Sequence, residues 1–264
     1  MNCPICNNQT FKLKSGITFS PPEHSVLWDR IGRGYDILKC GECGLEFCDP
    51  MPTEEVLKEL YSKTYTNPRQ SKEIVELNAQ KNINYLVKYG LTKESKLLDF
   101  GCGDNNFIGG NLNWKGYDPY IYTENSGLAD DNDFVILWGT LEHLVEPIKS
   151  INFVNNLLKD SGKVVITTVF NPFTNIPYNH KPPEHTLYFT KEAIKRLFDK
   201  TGFKLLEYSS YEMYQKPEIY LWCIFNSSRM PEEIRSKISI DTKEPILVPT
   251  NEVFIVGEKR WSRK

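Results

Sequence analysis

Four cysteines near the start of the chain have the spacing of metal ligands. They form two C-x-x-C pairs, with 33 residues between the pairs: Cys3, Cys6, Cys40 and Cys43. A C-x-x-C turn brings two thiolates to one ion, and two such turns supply the four tetrahedral ligands of a structural zinc site. The spacing is longer than in a compact ribbon, but it leaves room for a hairpin. We therefore predict a structural Zn²⁺ bound by these four cysteines, with no ligand role for Cys48.

A glycine-rich turn in the middle of the chain follows a short apolar stretch. Residues 96–100 read Lys-Leu-Leu-Asp-Phe and run into a Gly-Cys-Gly turn at residues 101–103. Glycines in such a turn let the backbone approach a ligand closely. Asp99 lies near the end of the first stretch, and Asp118 ends a second stretch 19 residues later. An acidic residue at this spacing can bind the two hydroxyls of a ribose. No phosphate-binding G-x-x-x-x-G-K-[ST] motif is present, so we predict a nucleoside cofactor without a pyrophosphate.

Histidine is the side chain best suited to acid–base chemistry at neutral pH, and the chain has only four. Two of them directly follow a glutamate, as Glu142–His143 and Glu184–His185. The first pair comes after a predicted buried strand, and the second lies in a proline-rich loop. Loops at the carboxyl edge of a parallel sheet are where ligands bind. His185 is therefore the first candidate for a catalytic base, with Glu184 orienting it or meeting the acceptor. His143 is the rival, and His180 is a candidate for substrate binding.

The charge of the chain argues against binding to nucleic acid through phosphates. The 264 residues carry 32 Lys and Arg against 34 Asp and Glu, and the first 50 residues have five basic and six acidic side chains. Nucleic-acid-binding domains usually carry a clear basic excess. No apolar run approaches the roughly 20 residues of a membrane span, and the amino terminus is polar. We therefore expect a soluble cytoplasmic protein, without a membrane partner, that acts on a small molecule.

The patterns around these residues predict the elements that position them. Residues 1–52 form a zinc ribbon, and Thr53 caps the helix that follows. Apolar residues at helical spacing indicate a helix over residues 71–89, and Thr190 caps another. The segment 252–257 predicts a last strand at an edge of the sheet. Short apolar stretches predict five further strands, at residues 96–100, 114–118, 133–138, 161–168 and 203–208.

Taken in order, these segments resemble the class I S-adenosylmethionine-dependent methyltransferases. The D-F-G-C-G-D loop is similar to their first motif, G-Y-D-P to the segment with their ribose-binding acid, and L-E-H-L to the segment after their fourth strand. The resemblance covers roughly residues 71–210. It implies an α/β, Rossmann-like domain over residues 53–264, with a mostly parallel sheet and helices on both faces. It also implies S-adenosylmethionine as the cofactor, held by Asp99, Gly101, Gly103, Asp118 and Trp138.

The segment between Asp118 and Asp133 departs from that family. Its 14 residues are too few for the usual helix, third strand and adenine-contacting acid. Asp130 and Asp131 are the candidates for the adenine contact, and the sequence does not choose between them. A strongly shortened pocket leaves a non-catalytic binding protein as an alternative function.

The pattern E-H-x-x-x-F-T at residues 184–190 resembles a segment of sugar methyltransferases that carry the same amino-terminal zinc module. This resemblance implies that His185 and Glu184 serve acceptor binding and proton removal. It also implies a nucleotide-linked sugar, or a related precursor in polysaccharide biosynthesis, as the acceptor. The sugar C-methyltransferases that this segment resembles usually have a further large carboxyl-terminal domain, but only about 55 residues follow the sixth strand here. We therefore favour O-methylation over C-methylation. An RNA methyltransferase that uses the ribbon to bind RNA is a further alternative, which the charge balance disfavours.

Overall fold

A computed structural model describes most of the chain. The described residues are 1–17, 34–61, 71–103, 113–119, 128–170, 172, 180–228, 233 and 236–261. The strands are β1 Thr10–Ile17, β2 Tyr35–Cys40, β3 Glu46–Asp49, β4 Lys96–Phe100, β5 Asn113–Tyr117, β6 Asn132–Trp138, β7 Leu158–Val169, β8 Leu187–Tyr188, β9 Phe203–Gln215 and β10 Ile246–Lys259. The helices are α1 Glu54–Glu59, α2 Lys72–Val87, α3 Pro147–Leu157, α4 Lys191–Lys200 and α5 Pro217–Ser228, with a short 3₁₀ turn at Leu141–His143. None of the helices in these ranges is long and apolar enough to cross a membrane.

The larger sheet has six strands in the order β5-β4-β6-β7-β10-β9. Strands β5, β4, β6 and β7 run parallel, and β10 runs antiparallel to both of its neighbours. Apolar side chains cover both faces of the central strands, as expected for parallel strands between layers of helices. The residues of α2 pack on one face, and those of α3 and α4 pack on the other. The predicted α/β, Rossmann-like architecture with a mostly parallel sheet is confirmed.

The last strand does not lie at an edge of this sheet, and that prediction is wrong. Strand β10 lies between β7 and β9, and the edge strand on this side is β9. The apolar core of β10, from Val253 to Val256, is buried. Glu252 before this short run is half-buried, but Gly257 after it is buried, and the strand pairs with both of its neighbours along the run. At the other edge lies β5, and the described residues between β5 and β6 contain no additional strand.

Both predicted threonine caps are present. The side chain of Thr53 accepts a hydrogen bond from the backbone N–H of Val56 at the start of α1. Thr190 does the same for Ala193 at the start of α4. Such caps satisfy backbone donors that have no partner within the helix. They fix where each helix begins, so Leu187 and Tyr188 just before Thr190 stay available to form β8.

The smaller sheet joins the amino-terminal segment to the rest of the chain. Its strand order is β1-β2-β3-β8, so the predicted hairpin of the first fifty residues is extended by a strand from beyond residue 180. In the pairing of β3 with β8, Phe47 lies opposite Leu187. Both side chains are fully buried and belong to the same apolar core as Leu137 of the larger sheet. The first fifty residues therefore share a sheet and a core with the remainder of the protein.

The two C-x-x-C turns have similar backbones, and one of them contacts α4. Each turn is followed by a residue in the left-handed region, Asn7 with φ of 61° and Gly44 with φ of 70°. The hydroxyl of Thr190 donates to the carbonyl oxygen of Cys43 over 2.5 Å. A Cβ atom at Gly44 would lie 3.1 Å from the Thr190 methyl group, so a glycine lets the turn approach the helix closely.

Candidate functional site

The glycine turn lies at the carboxyl end of β4 and has the backbone that only glycine adopts easily. Gly101 has a φ of 81° and Gly103 a φ of 56°. The N–H of Gly101 donates to the carbonyl oxygen of Tyr117, at the end of β5, over 2.7 Å. A Cβ atom at Gly101 would lie 2.5 Å from the methyl carbon of Thr140, whereas a Cβ atom at Gly103 would have no neighbour within 4 Å among the residues that the structure describes. Within this part of the chain the turn is therefore tightly packed at its first glycine and uncrowded at its third residue.

Two aspartates flank this turn, as the sequence predicts. Asp118 accepts a hydrogen bond from the N–H of Gly103 over 3.2 Å. Asp99 is 1% exposed, and its Oδ2 atom has no hydrogen-bond partner in the described part of the chain. Burial, and then the charge of Asp118, raise the pKa of Asp99 to about 7. A buried carboxylate oxygen without a partner is costly, so this arrangement fits a ligand that brings a donor or a positive charge.

The raised pKa of Asp99 predicts a specific dependence of stability on pH. Between pH 4 and pH 7 the folded protein holds a proton on Asp99 that the unfolded chain has released, so stability falls as the pH rises through this window. The shift of about 3 pKa units corresponds to at most about 4 kcal/mol. We expect Asp99→Asn to remove this contribution, so that the variant gains stability over the wild type as pH increases. Urea unfolding of both proteins from pH 4 to pH 8 measures the difference.

The matched control for this prediction is Asp131→Asn. The carboxylate of Asp131 is exposed and paired with Lys96, which lowers its pKa, so this variant should show no such gain at high pH. A difference between wild type and Asp99→Asn that stays constant with pH would contradict the assignment.

The two candidates for adenine contact lie at the wrong edge of the sheet. Asp131 forms an ion pair with the side chain of Lys96, the first residue of β4. Asp133, at the start of β6, accepts a hydrogen bond from the backbone N–H of the same lysine over 2.8 Å. Asp130 and Asp131 are therefore at the amino ends of the parallel strands, whereas the glycine turn is at the carboxyl ends. The hypothesis that either aspartate contacts adenine is corrected.

Trp138 ends β6 at the same edge as the glycine turn. Its ring lies edge-on to Tyr211, with 5.5 Å between ring centroids, and to Phe254, with 6.3 Å. It belongs to the cluster on the α2 face of the sheet and is only partly buried. The structure thus brings Trp138 to the predicted edge, next to the loop that carries the Glu142–His143 pair.

The two histidines singled out from the sequence meet in space. The rings of His143 and His185 lie edge to face with 4.9 Å between their centroids. The Nδ1 atom of His143 is 2.6 Å from the carbonyl oxygen of Glu184 and 2.6 Å from the hydroxyl oxygen of Tyr61. That hydroxyl also donates to the Glu184 carbonyl over 3.0 Å. The Glu184 carboxylate lies 3.7 Å from Nε2 of His185, beyond hydrogen-bond distance.

The surroundings of this histidine pair keep it neutral. Burial lowers the pKa of His143, and burial followed by the nearby His143 and Lys181 lowers the pKa of His185 well below its ordinary value. Glu142 lies beside the pair and is 2% exposed. It accepts a hydrogen bond from the Thr168 hydroxyl over 2.8 Å, and burial raises its pKa to about 7. No role for Glu142, Thr168 or Tyr61 is evident from the amino-acid sequence alone.

His180 has a different environment from the other two described histidines. Its Nε2 atom lies 2.9 Å from the carboxylate of Glu46 in β3, and its Nδ1 atom lies 3.0 Å from the ammonium group of Lys14 in β1. Because the ammonium group can only donate, Nδ1 accepts and Nε2 donates to the carboxylate. This buried network ties the start of the 180–188 loop to the smaller sheet. The contacts support a structural role for His180, and its role in substrate binding stays a prediction.

The four predicted zinc ligands come together. All four Sγ atoms lie within 4.8 Å of one another, with distances of 3.4 Å for Cys6–Cys40, 3.7 Å for Cys3–Cys43 and 3.8 Å for Cys6–Cys43. A tetrahedral Zn²⁺ with Zn–S bonds of about 2.3 Å places its sulfurs about 3.8 Å apart. The donor set therefore fits zinc in both chemistry and spacing. Cys48 is also fully buried, but its thiol faces the sulfur of Met51 and lies outside this cluster.

The strand order, the glycine turn after β4 and the acid after β5 define a nucleoside-binding α/β domain. Residues 71–208 match the family described as a methyltransferase domain, and the chain belongs to this family. The protein is therefore an S-adenosylmethionine-dependent methyltransferase of the Rossmann-like class.

Comparisons with individual proteins add no information about the substrate. No curated protein matches the sequence. Similar solved structures include a Bacillus halodurans protein provisionally assigned as a methyltransferase, at 14% identity over 69% of this chain and 100% of that chain, with a TM-score of 0.44. The Bacillus subtilis protein YcgJ has 12% identity over 69% and 100%, with a TM-score of 0.43. A Methanosarcina mazei S-adenosylmethionine-dependent methyltransferase has 13% identity over 67% and 98%, with a TM-score of 0.37. Similarity at this level carries no argument about the acceptor.

Proposed function

We propose that the protein transfers a methyl group from S-adenosylmethionine to a hydroxyl group of a small polar acceptor, such as a nucleotide-linked sugar or a related polysaccharide precursor. The observation that carries this proposal is the neutral pair His143 and His185 at the carboxyl edge of the sheet, the same edge as the glycine turn. A hydroxyl acceptor must lose its proton as it attacks, and a neutral imidazole can accept it. The sugar class comes from the resemblance of the 184–190 segment.

The residues around the glycine turn would hold the cofactor. When bound, S-adenosylmethionine supplies a methyl group activated on a sulfonium sulfur. Asp118 follows β5, where an acid can bind the ribose hydroxyls. Asp99 offers the unpartnered Oδ2 atom, which suits the positively charged amino group of the methionine part. The space beside Gly103 lets the backbone approach the ligand without a side chain in between.

The histidine pair would serve the acceptor. His185 is the proposed base, which takes the hydroxyl proton while the acceptor oxygen forms its bond to the methyl carbon. The cofactor would supply the methyl group, the electron pair of the carbon–sulfur bond would remain on sulfur, and S-adenosylhomocysteine would be the second product. The Glu184 carboxylate, 3.7 Å from Nε2 of His185, is placed to contact an acceptor hydroxyl next to the base. His143 is held by the Glu184 carbonyl and by Tyr61, so it supports the ring of His185 from one side.

The zinc ribbon would act as a scaffold for the acceptor loop. Zinc bound by the four cysteines fixes β2 and β3, and β3 pairs with β8 immediately after His185. The backbone N–H of Cys48 donates to the carbonyl oxygen of Thr186, and the N–H of Thr186 donates to the carbonyl oxygen of Glu142. This chain of backbone hydrogen bonds supports a structural role for the metal, at a distance from the chemistry.

Calorimetry with S-adenosylmethionine and S-adenosylhomocysteine tests the cofactor part of this proposal. We expect one molecule of either ligand to bind per chain. Asp118→Ala should weaken binding at least tenfold, because hydrogen bonds to a charged group are lost. Asp131→Ala is the matched control, since this aspartate lies at the opposite edge of the sheet, and it should bind as the wild type does. Absence of binding at millimolar ligand would favour the non-catalytic alternative.

A further inference from the structure

We propose that Glu142, His143 and His185 form a second metal site, which binds one first-row divalent cation through a carboxylate and two imidazoles. One potential ligand atom from each side chain lies within 4.8 Å of the others. The three residues come from the 3₁₀ turn after β6 and from the 180–188 loop, and they are distant in sequence from the cysteine cluster. Two histidines and one carboxylate are a common donor set for zinc, iron and manganese.

The distances between the donors leave room for an ion. Metal–nitrogen and metal–oxygen bonds of about 2.0–2.2 Å place neighbouring ligand atoms about 3–3.6 Å apart. Separations of up to 4.8 Å therefore require side-chain movements of roughly 1 Å to close around a cation. Movements of this size need no change in the backbone.

The hydrogen bonds around the cluster have the form of a second coordination shell. The Nδ1–H group of His143 is directed at the Glu184 carbonyl oxygen, and the backbone of Gly139 also hydrogen-bonds to the ring, a contact that a bound metal would replace. Metal-bound histidines usually donate their other N–H group to a carbonyl or carboxylate in this way. Thr168 donates to Oε2 of Glu142, and the carboxylate also accepts a hydrogen bond from the backbone N–H group of the same residue. These hydrogen bonds fix the orientation of both side chains.

His185 completes the cluster. The residue is 9% exposed, and its Nε2 atom lies 3.7 Å from the Glu184 carboxylate, beyond hydrogen-bond distance. Glu142 is close enough to share an ion with His185, but it does not hydrogen-bond to it. A cation would be bound by all three side chains at once.

A metal held by three protein ligands keeps open positions. In the methyltransferase proposed above, these positions would bind oxygens of the acceptor, and the cation would then take the place of a free His185 base by lowering the pKa of the acceptor hydroxyl; this part of the inference rests on the proposed methyl transfer. Metal binding itself does not depend on it, because the cluster is formed by the chain alone.

Manganese distinguishes the two metal sites, because Mn²⁺ prefers oxygen and nitrogen donors whereas thiolates select zinc. The experiment titrates Mn²⁺ into the full chain, purified with its zinc, and follows the free ion by electron paramagnetic resonance. We expect one Mn²⁺ to bind per chain in the absence of any cofactor. Glu142→Gln and His185→Gln should each weaken binding at least tenfold, and Thr168→Val should weaken it by about tenfold through the loss of its orienting hydrogen bond.

Two control variants match these changes. Glu252→Gln alters another carboxylate whose charge acts on Glu142 but which lies outside the cluster, and His180→Gln alters the histidine that contacts β1 and β3. Both should bind Mn²⁺ as the wild type does. Zinc content and melting temperature, measured for every variant, identify any that has failed to fold. Stoichiometric binding that is unchanged in the cluster variants, or no Mn²⁺ binding by a folded wild-type chain, would overturn the proposal, whether or not S-adenosylmethionine binds.

Discussion

Replacing His185 by alanine is expected to lower kcat by at least 100-fold and to leave the affinity for S-adenosylmethionine within twofold of the wild type. General base catalysis contributes about 10²–10⁴ to the rate, so its loss is a large effect. The proposed cofactor residues Asp99 and Asp118 flank the glycine turn, whereas the ring of His185 packs against His143, so the two parts of the proposed site are carried by different segments. The measurement combines turnover with a small-molecule acceptor library, such as nucleotide-linked sugars, and calorimetry with the cofactor.

Turnover of His185→Ala within tenfold of the wild type would contradict a chemical role for this residue. His143 would then be the remaining candidate, or catalysis would rest on positioning alone. One further measurement distinguishes a catalytic base from a metal ligand at His185: the dependence of kcat on Mn²⁺. If His185 acts as a base without metal, kcat is insensitive to added Mn²⁺ after removal of weakly bound metals. If the cluster holds a catalytic cation, kcat is lost with the metal and returns with it.

Cys40→Ser is expected to remove zinc and to destabilise the whole chain by about 5 kcal/mol or more. Structural zinc contributes about 10–16 kcal/mol of binding free energy in small domains, and the net stability of most proteins is only about 5–15 kcal/mol. The effect extends beyond the ribbon because Phe47, Leu187 and Leu137 belong to one apolar core. For a chain of this size the melting temperature should fall by roughly 10–20 °C. Metal analysis and thermal unfolding measure both effects, and the wild type should contain about one zinc per chain in the cysteine site.

Cys48→Ser is the matched control for this variant. Cys48 is a buried cysteine of the same small sheet, but its thiol lies outside the cluster of four. It should retain zinc, and its melting temperature should fall by much less than that of Cys40→Ser. Equal zinc content in the two variants would show that the four cysteines do not form the metal site.

The features that local sequence predicts well are those set by neighbouring residues. The C-x-x-C turns, the glycine turn after β4 and the caps at Thr53 and Thr190 all depend on a few adjacent positions. Their backbone requirements are visible in the residue types themselves, which is why these predictions could be specific.

The features that sequence could not supply depend on contacts between distant segments. Tyr61 meets His143 across 82 positions, and nothing distinguishes it in sequence from the other 13 of the chain's 14 tyrosines. The position of β10 inside the sheet follows from its pairing with β7 and β9, which the residues of β10 do not reveal by themselves. Asp131 lies at the edge of the sheet opposite the glycine turn, because β6 begins after it. Its position in the sequence, between Asp118 and Asp133, was the only reason to expect it near the cofactor. The grouping of Glu142 with His185 has the same origin, since both motifs were visible but their meeting was not.

The pairing of β3 with β8 also has a consequence for how this chain can change over evolutionary time. Thr186 and the residues of β8 complete the amino-terminal sheet, and His185 immediately precedes them. The amino-terminal segment is therefore not an interchangeable accessory, because exchanging it for another module removes the partner strand of β8. Substitutions in either segment act on the same set of contacts. We therefore expect the first fifty residues and the 180–190 segment to be inherited, lost or replaced together.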